Sequence, residues 1–247
     1  MRPTEQIYSN YTTEDFSVWK LLYNRQMQIL SPVVSKYYLD AIDAIGFSAT
    51  TIPDFSKINQ TLAPMTGWSL KVVPNISPQK EFFEALAGKQ FTATCWLRSM
   101  EQLDYLEEPD MFHDVFAHAP LLSNKDYVGF FKGLSDIALE HINNPAIIEL
   151  LSRIYWFTIE FGLIKEDNVV KIYGAGIISS NGETKHVMSN DPMKYDFNIQ
   201  KMLNTPYRTD ILQDTYFVID SFQQLYASLP LIRKELEKIS QSITEAV

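Results

Sequence analysis

The chain reads as a mainly α protein with small β elements. Three observations carry this: apolar residues recur at helical spacing, capping residues stand ahead of them, and the strand-like runs are short. The chain has 247 residues, 46% hydrophobic and 13% aromatic, enough for one large domain with a sizeable core.

Taken in order, Thr13 to Ile45 places Phe16, Trp19, Leu22, Tyr23 and Ile29 at helical spacing, and Pro32 splits the stretch into two helices. From Gly46 to Pro78 breakers accumulate (Pro53, Pro64, Gly67, Pro74), which predicts an ordered connector holding one short strand, Trp68 to Val73. Ser77 as N-cap and Pro78 as first position open a helix that stops at Gly88; Phe91 to Leu97 follows as a strand, ended by Arg98. Pro109 with acidic neighbours starts a helical segment that carries two histidines. Ser123 with Asp126 resembles a capping box for a helix to about Ile142, and Asn143-Asn144-Pro145 caps the next, Ala146 to Phe161, terminated by Gly162. Val169 to Tyr173 and Lys185 to Met188 read as strands flanking a glycine-rich turn region, Gly174 to Glu183. Tyr216 to Ile219 reads as a strand, and Ser221 to Ser240 as a closing amphipathic helix. No repeat, low-complexity tract or linker divides the chain, so the expectation is a single domain over residues 1–247.

Composition excludes several classes. A net charge of −9 with scattered Lys and Arg argues against nucleic acid as a partner. One cysteine, Cys95, rules out an internal disulfide and a thiolate cluster. The start lacks an apolar signal core, and no apolar run approaches the ~20 residues of a spanning helix, so a cytoplasmic protein is expected.

The chemistry concentrates in Glu108-Pro-Asp-Met-Phe-His113-Asp114-Val-Phe-Ala-His118-Ala-Pro-Leu-Leu, which holds two of only four histidines. Paired imidazoles on one element are a common way to hold iron, zinc, copper or nickel. Five-residue spacing puts the two rings about 140° apart on an ideal α-helix, which disfavours the zinc-protease pattern of histidines four apart. Pro120 relaxes the helix end, so convergence is allowed; a cap and a core histidine would give the same sequence. An iron site that uses dioxygen needs one carboxylate besides two histidines. Glu160 is the best candidate, set among Tyr155, Trp156, Phe157, Ile159 and Phe161, where an ionised carboxylate needs a cation or a metal. Pairing with Arg153 or a lysine elsewhere, or pointing to solvent, is the ordinary alternative.

Three stretches then carry a resemblance: the histidine segment, Ile154-Tyr-Trp-Phe-Thr-Ile-Glu-Phe-Gly-Leu, and Tyr173-Gly-Ala-Gly-Ile-Ile-Ser-Ser-Asn-Gly-Glu. They resemble signatures of the pterin-dependent aromatic amino acid hydroxylases, particularly the prokaryotic phenylalanine hydroxylases. With Thr66-Gly-Trp and Glu81-Phe-Phe, the resemblance extends from Trp19 to about Leu225. It implies a helical basket around a mononuclear non-heme iron(II), with His113, His118 and Glu160 as metal ligands and catalytic centre. It implies a tetrahydropterin cofactor, met by Phe82 through ring stacking and by Asn75, Ser77 and Asp114, the last through water rather than as a fourth ligand. It implies substrate contacts from Arg98, as a two-pronged salt bridge to the amino acid carboxylate, and from Leu106, Trp156, Ser179 and Glu183. The implied reaction is hydroxylation of phenylalanine to tyrosine by dioxygen and tetrahydropterin. Tyrosine or tryptophan as substrate is the alternative within the family, and a zinc-dependent hydrolase or an inactive relative the alternatives outside it. Two departures stand out: Ala117, where the family pattern has glycine, and Ala119, where it often has valine. The methyl added at Ala117, one residue from a ligand, could tilt the ring or narrow the pocket. A monomer without regulatory or tetramerisation domains is expected.

Overall fold

The computed structural model of the protein describes residues 2–104, 106 and 108–245, without the side chains of 242–245. Helix α1 (Thr13–Leu30) starts where Thr12 accepts from Asp15 N while Asp15 accepts from Thr12 N, a reciprocal cap. It buries Val18, Trp19, Leu22 and Leu30, and α2 (Lys36–Ala44) follows after the expected break at Pro32. The supposed connector contains a helix, α3 (Phe55–Met65), capped by Asp54. Its prolines sit at its ends instead of breaking it: Pro53 precedes the cap, and Pro64 is the penultimate residue, where the one hydrogen bond it forgoes does not interrupt the helix.

Strand β1 (Ser69–Val72) pairs in parallel with β2 (Gln90–Ala93), and α4 (Gln79–Ala87) crosses between them. Pro78 itself occupies the cap position of α4, so Ser77 does not cap it, and β2 ends at Ala93, earlier than expected. A π-helical segment, Phe112–His118, precedes α5 (Lys125–Glu140). Asn124 caps α5 by accepting from Asp126 N and Tyr127 N, whereas Ser123 donates back to Pro120 O. Helix α6 (Pro145–Tyr155), capped by Asn144, runs on into a second π-helical segment, Trp156–Glu160.

The remaining elements build a four-stranded sheet in the order β4-β3-β6-β5. Its strands are β3 (Gly162–Glu166), β4 (Val169–Ile172), β5 (Met193–Asp196) and β6 (Thr215–Ile219). Strand β3 runs antiparallel to β4 and parallel to β6, which runs parallel to β5. Between β4 and β5 lie α7 (Ala175–Ser179) and α8 (Asn181–Val187), so the stretch read as turn and strand is helical. Ser180 accounts for this: its hydroxyl accepts from Glu183 N and starts α8. Helix α9 (Ile199–Asn204) precedes β6, and the last expected helix is two, α10 (Phe222–Ala227) and α11 (Leu229–Glu245), divided at Ser228. One hydrophobic core links these elements from Val18 to Leu236, with Trp19, Tyr38, Trp68 and Phe116 essentially inaccessible.

The joint between the second π-helical segment and β3 depends on Gly162. A Cβ there would stand 2.2 Å from Thr158 O and 2.2 Å from the Tyr173 ring. Gly162→Ala should therefore cost about 3 kcal/mol, a fall of about 6–12 °C in melting temperature. Calorimetry that shows an unchanged transition would refute this close approach.

Candidate active site

The five-residue step between the histidines finds its explanation in the backbone. A π-helix bonds i to i+5, so residues five apart return to one face, as they would not on an α-helix. Pro120 has no N–H to give the Phe116 carbonyl one turn back; the Tyr38 hydroxyl donates to it instead, at 2.7 Å. Phe112 and Phe116 stack at 4.5 Å within the same segment and fix its inner face in the core. Glu160 is delivered the same way: Phe161 N donates to Trp156 O at 2.8 Å, an i to i+5 bond. Gly174 lets the chain close over it, since a Cβ there would lie 2.5 Å from Glu160 O.

These segments bring His113, His118 and Glu160 together, with one ligand atom from each inside 4.8 Å of the others. The two Nε2 atoms are 3.4 Å apart, and His118 Nε2 and His113 Nε2 stand 3.3 and 3.8 Å from the Glu160 oxygens. Donors ~2.1 Å from a shared ion, at right to tetrahedral angles, are ~3.0–3.4 Å apart; His118 meets that spacing to both partners, and the 3.8 Å between His113 and Glu160 is a few tenths of an ångström wider. The ring orientation fits as well. Ser179 donates to Ala175 O at 3.0 Å, so its oxygen accepts from His113 Nδ1–H at 2.8 Å, and the Nε2 lone pair is left to face the cluster. His118 is steadied by Phe91, with ring centroids 4.7 Å apart, and its Nδ1 has no hydrogen-bond partner among the described residues. Arg153, the alternative partner of Glu160, turns to Glu149 and to Leu203 O.

Burial pushes the Glu160 carboxyl up, but the His118 and His113 rings and the Tyr155 hydroxyl outweigh it and hold the group well below the ordinary carboxylate range. Burial also lowers His113, against the pull of Glu160, which favours the neutral imidazole that a metal requires. Asp114 stands outside the cluster. Its Oδ2 accepts from Thr94 N at 2.8 Å and Thr94 Oγ1 at 2.9 Å, and burial pushes its carboxyl up.

The cluster divides two cavities that share Ile76, Pro109, His113, Tyr155 and Glu160. The smaller, ≈ 170 Å³, is lined by Asn75, Ser77, Phe82 and Asp114, which are all four residues expected to meet the cofactor. The larger, ≈ 750 Å³, is lined by Arg98, Leu106, Trp156 and Ser179, four of the five expected to meet substrate. Glu183 is the exception and corrects the expectation. It is buried, accepts from Gln213 N and from the Tyr216 hydroxyl, and does not line the cavity. Its place at the start of α8 turns it toward β6.

Sequence reasoning also missed Asp110. This fully buried carboxylate takes Arg98 Nε at 2.9 Å and Arg98 Nη2 at 2.8 Å, while Nη1 at the cavity end of the guanidinium makes only a long bond, 3.4 Å, to Leu103 O. The acidic pair around Pro109 was the available signal, read only as a helix start. Tyr155, which lines both cavities, was read only as an apolar neighbour of Glu160. Ala117 and Ala119 line neither cavity; both methyls are buried in the core. Ser179→Ala should free the His113 ring and weaken binding of a divalent first-row ion by about 10–100-fold in competition with a chromophoric chelator. Unchanged affinity would show that the ring is oriented without it.

The family model for biopterin-dependent aromatic amino acid hydroxylases matches residues 3–244. Phenylalanine-4-hydroxylase from Ralstonia nicotianae is 40% identical over 223 residues, covering 90% of this chain and 71% of that protein. The crystal structure of Chromobacterium violaceum phenylalanine hydroxylase bound to cobalt superposes with a TM-score of 0.89 at 38% identity, covering 96% of this chain and 86% of that one. The same enzyme with bound iron(III) and oxidised 7,8-dihydrobiopterin gives 0.88 at 38% identity, with the same coverage. The chain belongs to the biopterin-dependent aromatic amino acid hydroxylase family.

Proposed function

We propose that this protein is a phenylalanine 4-monooxygenase that converts phenylalanine to tyrosine with dioxygen and a tetrahydropterin. The observation that carries this is the two-histidine, one-carboxylate cluster standing between two cavities, with every residue expected to meet cofactor in one and the expected carboxylate anchor in the other. Iron(II) and the pterin, when bound, supply the reductive activation of dioxygen.

The chain's own residues orient, anchor and exclude water. His113, His118 and Glu160 hold the metal, and their three donors leave its other faces free. Arg98 offers its Nη1 end to the amino acid carboxylate, a task suited to a planar guanidinium already locked by Asp110. Trp156 and Phe161, with centroids 4.5 Å apart, form an aromatic wall for the substrate ring, and Leu106 bounds it. Phe82 stands edge-on to Tyr155 at 5.8 Å and presents its face to the pterin. Asn75 and Ser77 border that slot, and Asp114, held by Thr94, reaches the pterin through water. We assign the enzyme to the cytoplasm as a monomer, in keeping with its acidic charge and lone buried Cys95. Among the described residues no helix is long and apolar enough to cross a membrane.

Anaerobic loading with iron(II), then addition of oxygen, tetrahydropterin and each of phenylalanine, tyrosine and tryptophan, should give tyrosine from phenylalanine by mass. No hydroxylated product from any of the three would sink the assignment. His118→Ala and Glu160→Ala should bind no iron and form no product; turnover in either would refute the ligand set. Arg98→Lys cannot keep Asp110 and also grip a carboxylate, so its KM for phenylalanine should rise about 10–100-fold while the KM for pterin stays put. A phenylalanine KM like that of the unaltered enzyme would remove Arg98 from the substrate site.

A further inference from the structure

We infer that Gln213 is a positioning residue for substrate, acting through Trp156. The inference rests on the hydroxylase reading, because it takes Trp156 as the wall for the substrate ring. Gln213 lies just ahead of β6 and is 5% exposed. Its side-chain orientation follows from its neighbours. Trp156 Nε1 can only donate, and it stands 2.9 Å from Gln213 Oε1. The carbonyls of Arg208 and Ile211 can only accept, and they lie 2.7 and 3.0 Å from Gln213 Nε2. A flipped amide would set donor against donor and acceptor against acceptor. The backbone is pinned too: Gln213 N donates to Glu183 Oε1 at 3.1 Å, and Gln213 O is 3.0 Å from His186 Nε2.

The indole needs this bond. Tyr207 stacks on Trp156 at 4.5 Å and 20°, and Phe161 packs at 4.5 Å and 35°, which fixes the plane of the ring. Ring faces slide over one another at little cost, so they do not fix rotation within that plane; the N–H bond does. The same amide gathers the Arg208 and Ile211 carbonyls, and with them the segment that brings Tyr207 to the indole and Thr209 to the cavity. Gln213 thus ties two walls of the substrate cavity together, and the buried Glu183 secures Gln213 from behind.

Gln213→Leu keeps bulk and removes both polar ends. In steady-state assays with the iron-loaded enzyme it should raise the KM for phenylalanine about tenfold, lower the tyrosine formed per pterin oxidised, and leave the pterin KM within about twofold. In a Trp156→Phe background, which lacks the N–H, the same change should cost less than about twofold. Equal effects on both KM values, or an undiminished effect in that background, would overturn the inference. Should Gln213→Leu not fold, proton NMR of the unaltered protein decides, with the Trp156 indole N–H identified by its loss in Trp156→Phe. That proton should exchange slowly with D2O, and faster in Gln213→Asn, whose amide is one methylene too short; exchange as fast as a free indole would overturn the proposal. Failure of the unaltered enzyme to hydroxylate phenylalanine would count against the functional reading, while the exchange measurement would still judge the bond.

Discussion

A carboxylate buried against two imidazoles is the constraint around which this molecule is built. Glu160 exposes only 12% of its side chain and His118 only 2%, so water cannot carry their charge and hydrogen bonds. Burying an ionised carboxylate costs several kcal/mol unless it is paired, and the two histidine rings and the Tyr155 hydroxyl are what face it here. A metal cation satisfies all three donors at once. The backbone is shaped to this end at several points: two π-helical segments aim the three side chains, Tyr38 serves the carbonyl that Pro120 leaves unpaired, Gly162 lets β3 pass Thr158 and Tyr173, and Gly174 lets the chain ahead of α7 close over the Glu160 peptide. Strained or unusual backbone gathers at functional sites because the surrounding core holds it there, and here aromatic packing around Phe112, Phe116 and Trp19 does so.

The cluster separates two reactants that must meet at one atom but not before. The smaller cavity is bounded by the rings of Phe82, Phe91 and Tyr155, which suits a flat heterocycle; the larger has both a guanidinium and the rings of Trp156 and Phe161 in its lining, which suits an amino acid with a ring. Tyr155 borders both. Burial and the neighbouring Glu160 charge push its hydroxyl well up, so it stays protonated beside that carboxylate.

Much of this was legible in the sequence where residue chemistry is local. The cluster of His113, His118 and Glu160, strand β6 and the cap of α6 follow from spacing, capping and the cost of a carboxylate among aromatic residues, while the role expected of Arg98 follows from the family resemblance. What was illegible depends on tertiary structure. Helical periodicity predicts that residues five apart diverge, and only a π-helix held by the distant Tyr38 reverses that. Prolines at 53 and 64 look like breakers until the helix between them is seen. Lys185 to Met188 has the composition of a strand, yet Ser180 caps it into α8. Strands β3 and β5 are mostly too short to announce themselves before β6 lies between them. Asp110, Thr94 and Gln213 carry no motif, since their importance lies in what they hold.

Asp110 shows what such a residue does. One oxygen takes Arg98 N at 3.0 Å and Arg98 Nε; the other takes Arg98 Nη2 and, at 3.4 Å, the backbone N of His113. Arg98 and His113 are therefore fixed to the same carboxylate, so the spacing between the guanidinium of the larger cavity and the cluster is set by one buried side chain. Ala117 stands apart from this arrangement. Its methyl points into the core beside His118, away from both cavities, where packing absorbs the volume that glycine would leave empty.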